Sequence, residues 1–172
     1  MHSLFTAAVT AKDETSAPIR FEYGGDESQF VLVHLPEGEA VVPTLVVIHG
    51  GFWKNKYTVH AAAHESIAPA VKSLGWGVVE VEYRRRDSVG GGWPGSKDDI
   101  VAAIDGTMAS FPRLDGRRLV VLGHSAGGHG ALMACAECSA SPKACVAVRR
   151  AAPFVLEGGG LRGRGDCRRW RP

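Results

Sequence analysis

The residues with the clearest chemical potential form the segment Gly-His-Ser-Ala-Gly at positions 123–127. An apolar run precedes this segment and small residues follow it, which predicts a sharp turn between a strand and a helix. Gly123 and Gly127 fit such a turn, because its flanking positions have no room for side chains. Ser125 is therefore the candidate nucleophile, at a helix N-terminus that favours negative charge. The alternative is a glycine-rich turn that only packs closely or holds a phosphate.

A second segment, HGGFW at positions 49–53, directly follows another apolar run. Gly50 and Gly51 allow the backbone to turn there, so that N–H groups face the crevice near the candidate serine. The N–H group of Ala126 is the natural first donor to an oxyanion, and this second loop would supply the other half. Two donors from separate loops suit a tetrahedral intermediate. The alternative is an ordinary glycine turn followed by two core aromatic residues.

The elements that must position these segments follow from hydrophobic periodicity. Strands alternate with helices, which predicts an α/β protein with a mostly parallel central sheet, helices on both faces and an N-terminal antiparallel hairpin. Ser96 and Asp99 form a capping-box pattern at one helix start. In chain order we predict a hairpin at 20–24 and 30–35, a central strand at 44–50, a helix at 60–74 interrupted near Pro69, a strand at 76–84, a helix from 96 to about 111, a strand at 117–124, a helix at 126–138 and a strand at 143–148.

Composition predicts one soluble domain, since 172 residues with 45% hydrophobic and 22% charged content are ordinary for a globular protein. The first residues lack the basic region and apolar length of a signal or membrane segment, so we expect a cytoplasmic protein without membrane contact. Reduced cysteines are expected for the same reason. We divide the chain into an N-terminal extension (1–19), a core (20–148) and an Arg/Gly-rich tail (149–172).

Together, the segments HGGFW, VEYR, WPGSKDDI and GHSAGGH resemble the α/β-hydrolase superfamily. They are most similar to its branch with an HGG-W motif, which includes kynurenine formamidase-like (arylformamidase-like) and small carboxylesterase-like enzymes. The resemblance covers roughly residues 20–148 and implies hydrolysis of esters or amides of small, often aromatic, acyl substrates. It implies no metal and no organic cofactor. It also implies that Ser125 is the nucleophile and that the oxyanion hole is lined by Gly50, Gly51, Phe52 and Ala126.

Two histidines stand close to the candidate serine. His124 and His129 occupy positions that the resembled family also fills with histidine, where they support the serine turn. His129 lies one helical turn beyond Ser125, so it is also a conceivable substitute base. Against this role, helical side chains lean toward the helix N-terminus while the serine points outward, away from the helix flank.

Other residues with chemical potential have simpler interpretations. His60 and His64 share a helix face, but no third ligand at a suitable spacing accompanies them, so we predict no metal site. Cys135 and Cys138 are expected to pack as small residues rather than to bind zinc. The arginine run at 84–86 ends a predicted strand, where it is either solvated or at the rim of a site for an anionic substrate.

The chain departs from the resembled family after its last predicted strand. Hydrolases of this fold place the acid and the histidine of the triad after the serine, in that order. Here no histidine follows His129, and the only acids after residue 148 are Glu157 and Asp166. The tail holds seven arginines against those two acids, a net charge of +5 that leaves −3 for residues 1–148. We therefore expect a truncated or alternatively read product, with an apolar edge at 144–148 unless the tail covers it.

The resulting prediction is a serine hydrolase of carboxylic esters or N-formyl and aryl amides that is nearly inactive in this chain. Loss of the base lowers kcat by about 10⁶ in a well-studied serine protease. The alternative is a non-catalytic binding or interaction protein on the same scaffold. A weaker alternative gives the basic tail nonspecific contacts with nucleic acid, and we expect no specific nucleic-acid partner. The sequence leaves the substrate and the oligomeric state open.

Overall fold

The computed structural model describes residues 17–61, 66–149, 152–157 and 160–162. Three helices and eight strands lie within these ranges. The helices are α1 (Ala68–Ser73), α2 (Gly95–Ser110) and α3 (Ala126–Glu137). The strands are β1 (Ile19–Glu22), β2 (Phe30–His34), β3 (Val42–Ile48), β4 (Gly77–Val81), β5 (Leu114–His124), β6 (Ala144–Arg149), β7 (Ala152–Glu157) and β8 (Gly160–Arg162).

All the strands belong to one mixed sheet in the order β1-β2-β4-β3-β5-β6-β7-β8. Its centre is parallel, since β3 pairs with β4 and β5, and β5 pairs with β6. In the register of these pairs, Ile48 at the end of β3 lies beside both Val81 and Gly123. The segments that follow these strands therefore emerge at one edge of the sheet, which brings the two glycine-containing segments together.

The hydrophobic core lies around the central strands. Every residue of β4 is buried, which shows that layers cover the sheet on both faces at this position. Ile100 and Ile104 of α2 and Ala131 of α3 are almost inaccessible and belong to the same buried cluster as the central strands. The predicted fold class is confirmed, including the N-terminal hairpin, in which β1 pairs antiparallel with β2.

Two local predictions differ from the structure. Of the helix expected at 60–74, residues 62–65 lie outside the described residues, residues 60–61 are not helical and α1 begins at Ala68, so that Pro69 lies in its first turn, where proline is tolerated. The capping box is also absent, because α2 begins at Gly95 and Ser96 is already helical. The Ser96 hydroxyl donates instead to the carbonyl of Arg84 at 2.5 Å, and the Asp99 carboxylate accepts from the Arg84 guanidinium at 2.7 and 2.9 Å. Tertiary contacts thus take both side chains away from the helix terminus.

Beyond β6 the chain continues as two short strands, although its Arg- and Gly-rich sequence shows no hydrophobic period. β7 pairs antiparallel with β6, and β8 pairs with β7. The backbone of β6 is therefore covered on its outer side by the tail, which is the condition under which no exposed edge was expected. The division of the chain at residues 19 and 148 remains a prediction.

The cysteine side chains lie where helix and sheet meet. Cys135 of α3 faces Cys145 of β6, with 6.3 Å between their Cα atoms, and the reduced state of the thiols remains a prediction. Cys138 is free and buried, and burial raises the pKa of its thiol. The Cys135 and Cys138 side chains therefore do not act as a pair.

In the described part of the chain, no helix is both long and apolar enough to span a membrane.

Candidate functional site

Ser125 occupies a strained turn between β5 and α3. Its φ angle of 53° and ψ angle of −113° lie in a region that residues with side chains seldom adopt. The turn depends on the flanking glycines. A Cβ atom at Gly123 would lie 2.6 Å from the backbone nitrogen of Gly128, and one at Gly127 would lie 2.5 Å from the carbonyl oxygen of His49. The steric reason for glycine at these positions, predicted from the sequence, therefore holds in the folded chain.

The backbone of Ser125 is held by two neighbouring elements. Its N–H group donates to the carbonyl of Val148 in β6 at 2.8 Å, and its own carbonyl accepts from the N–H group of His129 at 3.3 Å. The side chain is exposed. Among the residues the structure describes, none makes a hydrogen bond with the Ser125 hydroxyl. The serine is thus presented at the sheet edge without a visible base.

The HGGFW loop lies directly against this turn. A Cβ atom at Gly50 would lie 3.2 Å from the Cβ atom of Ser125 and 2.7 Å from the carbonyl oxygen of His124. Gly51 has a φ angle of 125°, and Phe52 and Trp53 that follow it both have φ angles of 54°. Three successive residues with positive φ turn the loop sharply after Gly50. This conformation brings the backbone of the loop to the same crevice as Ser125.

The remaining predicted oxyanion residues lie beside the serine. Ala126 is the first residue of α3 and is buried, so its N–H group belongs to the unpaired first turn of that helix. Phe52, in contrast, exposes 68% of its surface, so its side chain is not a core aromatic residue as the alternative interpretation of the loop required. The N–H groups predicted as donors come from two loops that the fold has brought together.

A buried ion cluster beneath the HGGFW loop was missed by sequence analysis. Glu82 follows β4 and exposes only 2% of its surface. Its carboxylate lies 3.2 Å from Nε2 of His49, accepts from the N–H group of Val59 at 2.8 Å and pairs with the guanidinium of Arg85. The Tyr83 hydroxyl donates to the carbonyl of His49 at 2.9 Å. These contacts anchor the first residue of the loop to the strand next to it.

The electrostatics of the cluster favour a charged carboxylate. Burial acts to raise the pKa of Glu82, but the hydrogen bond and charge of His49, the Val59 N–H group and the Arg85 guanidinium outweigh it and hold that pKa below its usual range. Burial raises the pKa of the neighbouring Tyr83 far above its usual value, so its hydroxyl keeps its proton and remains a donor. The only sequence signal was the acid itself, since a charged residue directly after an apolar strand must find partners when it is buried.

The lowered pKa of Glu82 predicts that the folded protein loses stability in acid. The pKa of Glu80 is also lowered: burial raises it, and hydrogen bonds from His34 and Ser66 at 2.8 and 2.5 Å outweigh burial. A carboxyl with a depressed folded pKa stabilises the protein fully above its unfolded pKa of about 4.3, and this stability is lost as pH falls through the folded pKa. We expect the free energy of unfolding, measured in urea, to fall between about pH 5 and 3.

The Glu80→Gln variant should show a shallower fall than the wild type, whereas Glu22→Gln, at an exposed position, should follow it. Parallel curves for the wild type and Glu80→Gln would refute this assignment.

His124 and His129 both lie at the site with exposed side chains. The His124 ring lies next to the HGGFW loop, where its Nδ1 atom is 3.1 Å from the position of a Cβ atom at Gly50. The His129 ring contacts two tryptophans, with 5.9 Å between its centroid and that of Trp53 and 6.1 Å to that of Trp93. His129 therefore lines an aromatic recess beside the serine turn.

The other candidate ligands are not brought to this site. His60 stacks on Phe30, with 5.7 Å between ring centroids, and His64 lies outside the described residues. Within the described ranges, no three His, Cys, Asp or Glu side chains are placed to hold a metal ion.

The sheet order, the parallel centre and the serine turn between β5 and α3 together define an α/β-hydrolase fold. The family model described as BD-FAE matches residues 32–143, which is more than half of the 172 residues, so this chain belongs to the BD-FAE family. No curated protein matches the chain.

Solved structures give the same fold. Esterase B from Lactobacillus rhamnosis is 26% identical, with a TM-score of 0.56, and the match covers 67% of this chain and 38% of the esterase. The same esterase with a tributyrin phosphonate inhibitor is 28% identical, with a TM-score of 0.56 and coverage of 70% and 39%. MGS-M1, an α/β-hydrolase from a Medee basin deep-sea metagenome library, is 17% identical with a TM-score of 0.62, over 76% of this chain and 55% of that protein. The chain thus spans about two fifths of the length of esterase B.

Proposed function

We propose that this chain carries the nucleophile and oxyanion hole of a serine hydrolase that acts on carboxylic esters or on N-formyl or aryl amides. One observation carries the proposal: the backbone of the HGGFW loop packs directly against Ser125, whose own backbone is strained. A Cβ atom added to Gly50 would lie only 3.2 Å from the Cβ atom of Ser125. Nucleophile and oxyanion donors must both lie about 3 Å from one reacting carbonyl. The esterase names of the similar structures support the ester class.

The roles of the residues follow from this arrangement. The Ser125 oxygen attacks the substrate carbonyl, and the N–H groups of Gly51, Phe52 and Ala126 donate to the oxygen that becomes negative. The tetrahedral intermediate collapses to an acyl-serine as the alcohol or amine leaves with a proton. Water then cleaves the acyl-serine and restores the hydroxyl.

The 172-residue chain by itself is proposed to turn over very slowly. A serine hydroxyl needs a base to take its proton, and no histidine follows His129 in the sequence. His129 itself packs near two tryptophans, and no hydrogen bond links its ring to Ser125 among the described residues. Without the base, about 10³- to 10⁴-fold acceleration over water remains from the oxyanion hole and binding.

A small external base tests the proposal directly. Hydrolysis of p-nitrophenyl acetate is measured for the wild type, Ser125→Ala and the control Ser110→Ala, which alters an exposed serine at the end of α2. We expect the three rates to be nearly equal without added base. Imidazole, with a pKa near 7, should then raise the rate of the wild type and Ser110→Ala above that of Ser125→Ala, whose rate reports the uncatalysed and imidazole-driven background.

The outcomes separate the candidate functions. A wild-type rate far above that of Ser125→Ala without imidazole would show that a base is present and that the proposed inactivity is wrong. No Ser125-dependent rate at any imidazole concentration, with all three proteins folded by circular dichroism, would reject the nucleophile and favour a non-catalytic binding protein. That second function is supported by the unpartnered Ser125 hydroxyl in the described structure. Comparison with an N-formyl arylamine under the same conditions tests the closer resemblance to kynurenine formamidase-like enzymes.

A further inference from the structure

A cavity of about 180 Å³ lies beside the serine turn, between α2, α3 and the loops that carry Trp53 and Trp93. His129, one helical turn after Ser125, forms part of its wall, and its N–H group donates to the Ser125 carbonyl at 3.3 Å. Trp53 belongs to the HGGFW loop. The cavity therefore lies beside the loop and the helix that flank Ser125, although Ser125 itself does not line it.

The size of this cavity restricts what it can hold. An apolar cavity of about 150 Å³ accommodates one benzene ring. About 180 Å³ leaves room for a single ring with one small substituent. Ile100 and Met133 form apolar parts of the wall. Gly130 allows the two helices to approach here, since a Cβ atom at this position would collide with the Ile100 side chain.

Aromatic side chains form one side of the cavity. The Trp53 and His129 rings meet edge to face at an angle of 80°, and the Trp93 and His129 rings are tilted by 38°. Such mixed orientations offer both ring faces and ring edges to a guest, which are the surfaces that an aromatic ring prefers. Trp93 exposes 67% of its surface although it is a large apolar residue, so it has area available for a ligand.

Two positively charged side chains lie in the wall of the cavity. Lys97 and Arg86 both line it, and no acidic side chain is among its lining residues in the described structure. Lys97 is already neutralised, because its ammonium group lies 2.8 Å from Asp98 and 2.6 Å from Glu137. Among the described residues, the guanidinium of Arg86 makes one ionic contact, at 3.5 Å with Asp87, and 58% of its side chain is exposed. Arg86 therefore supplies the available positive charge.

Arg86 is also tied to the loop beside the serine. Its N–H group donates to the carbonyl of Trp53 at 3.0 Å, which fixes its backbone relative to the oxyanion segment. The guanidinium can rotate on this fixed base and form paired hydrogen bonds with a carboxylate.

We propose that this cavity binds an aromatic ring bearing a negatively charged substituent, held by Trp53, Trp93 and His129 and selected by Arg86. The inference rests on the proposed function in assigning the ring to the substrate of Ser125. The substrate is then a small aryl ester or amide with an anionic group on its ring. Binding of the ring itself does not need the nucleophile, so it can be tested separately from hydrolysis.

The test measures binding of benzoate, benzyl alcohol and cyclohexanecarboxylate to the full chain by ligand-observed NMR titration. We expect benzoate to bind about fivefold more tightly than benzyl alcohol, because one charge-assisted pair at a half-exposed site is worth about that factor. Cyclohexanecarboxylate should bind more weakly than benzoate by about the same factor, since it lacks the aromatic faces. Arg86→Gln should abolish the preference for benzoate over benzyl alcohol. The matched control Arg117→Gln, at a residue whose side chain is 95% exposed and lies outside this cavity, should keep it.

Trp93→Ala should weaken benzoate and benzyl alcohol alike, by about fivefold. Equal binding of benzoate and benzyl alcohol, or an unchanged preference in Arg86→Gln, would overturn the charge selection. Failure of all three probes to bind the folded wild type, or equal binding of cyclohexanecarboxylate and benzoate, would overturn the aromatic site. Ser125→Ala should bind benzoate as the wild type does, so failure of the hydrolase proposal and failure of this one give different results.

Discussion

Replacement of Glu82 by glutamine is expected to lower the free energy of unfolding by about 3–5 kcal/mol, because removing one partner of a buried ion pair leaves the other charge uncompensated. The side chains of Glu82 and Arg85 expose only 2% and 6% of their surface. The amide of glutamine keeps the shape but cannot balance the guanidinium charge, and its nitrogen cannot accept a hydrogen bond. Urea unfolding followed by circular dichroism at pH 7 measures the loss.

Two variants control this result. Glu22→Gln makes the same substitution where 68% of the side chain is exposed, and it should change the stability by less than about 0.5 kcal/mol. The double variant Glu82→Gln with Arg85→Gln removes both charges, so its loss should be smaller than the sum of the two single losses. Additive losses, or a Glu82→Gln loss no larger than that of Glu22→Gln, would contradict the ion cluster.

The same variant should also affect the loop that Glu82 supports. His49 begins the HGGFW segment, and Glu82 contacts both His49 and Val59, which follows that segment. In the imidazole-supported reaction, the Ser125-dependent rate of Glu82→Gln should therefore fall even under conditions where the variant is folded. Glu82 acts here as a positioning residue, since it touches the loop rather than the substrate.

The Gly127→Ala variant is expected to lose about 3 kcal/mol of stability or more, because its new methyl group would meet backbone atoms. The Cβ atom would lie 2.5 Å from the carbonyl oxygen of His49 and would also collide with that of Ile48. Backbone oxygens at the end of a central strand cannot move aside unless α3 separates from β3. For a chain of this size we expect the melting temperature to fall by roughly 6–12 °C.

Gly25→Ala is the matched control for this variant. A Cβ atom at Gly25 meets no atom within 4 Å, so alanine there should leave the melting temperature nearly unchanged or raise it slightly. Differential scanning calorimetry measures the melting temperatures of both variants and of the wild type. If Gly127→Ala melts at the same temperature as Gly25→Ala, the tight contact between the serine turn and β3 does not exist in solution.

Local sequence patterns were sufficient to predict much of this protein. Continuous apolar runs ending in glycine identified β3 and β5, because a strand buried on both faces has no polar alternation. The turn at Ser125 was predictable for a related reason, since glycine at 123 and 127 is a steric requirement of the turn itself. The placement of the oxyanion donors remains a prediction, and it depends on the parallel pairing of β3 and β5, which the structure shows.

Contacts between distant segments were beyond the reach of sequence reasoning. Ser96 and Asp99 have capping-box spacing, yet Ser96 donates to the carbonyl of Arg84 and Asp99 accepts from its guanidinium, because a charge-assisted pair offers a carboxylate more than a solvated helix end does. The tail showed no hydrophobic period, but the open edge of β6 provides hydrogen bonds that β7 can satisfy regardless of its side chains.

By itself the sequence determined the fold class, the serine turn and the succession of strands and helices along the chain, because each depends on short-range sterics or on the periodicity of apolar residues. The tertiary structure alone decided which charges meet. Glu82 joins His49, Val59 and Arg85 beneath the loop, and Arg86, Trp93 and His129 come from three separate segments to line one cavity. Such groupings arise from how the strands and helices pack, and they cannot be deduced from the spacing of the residues along the chain.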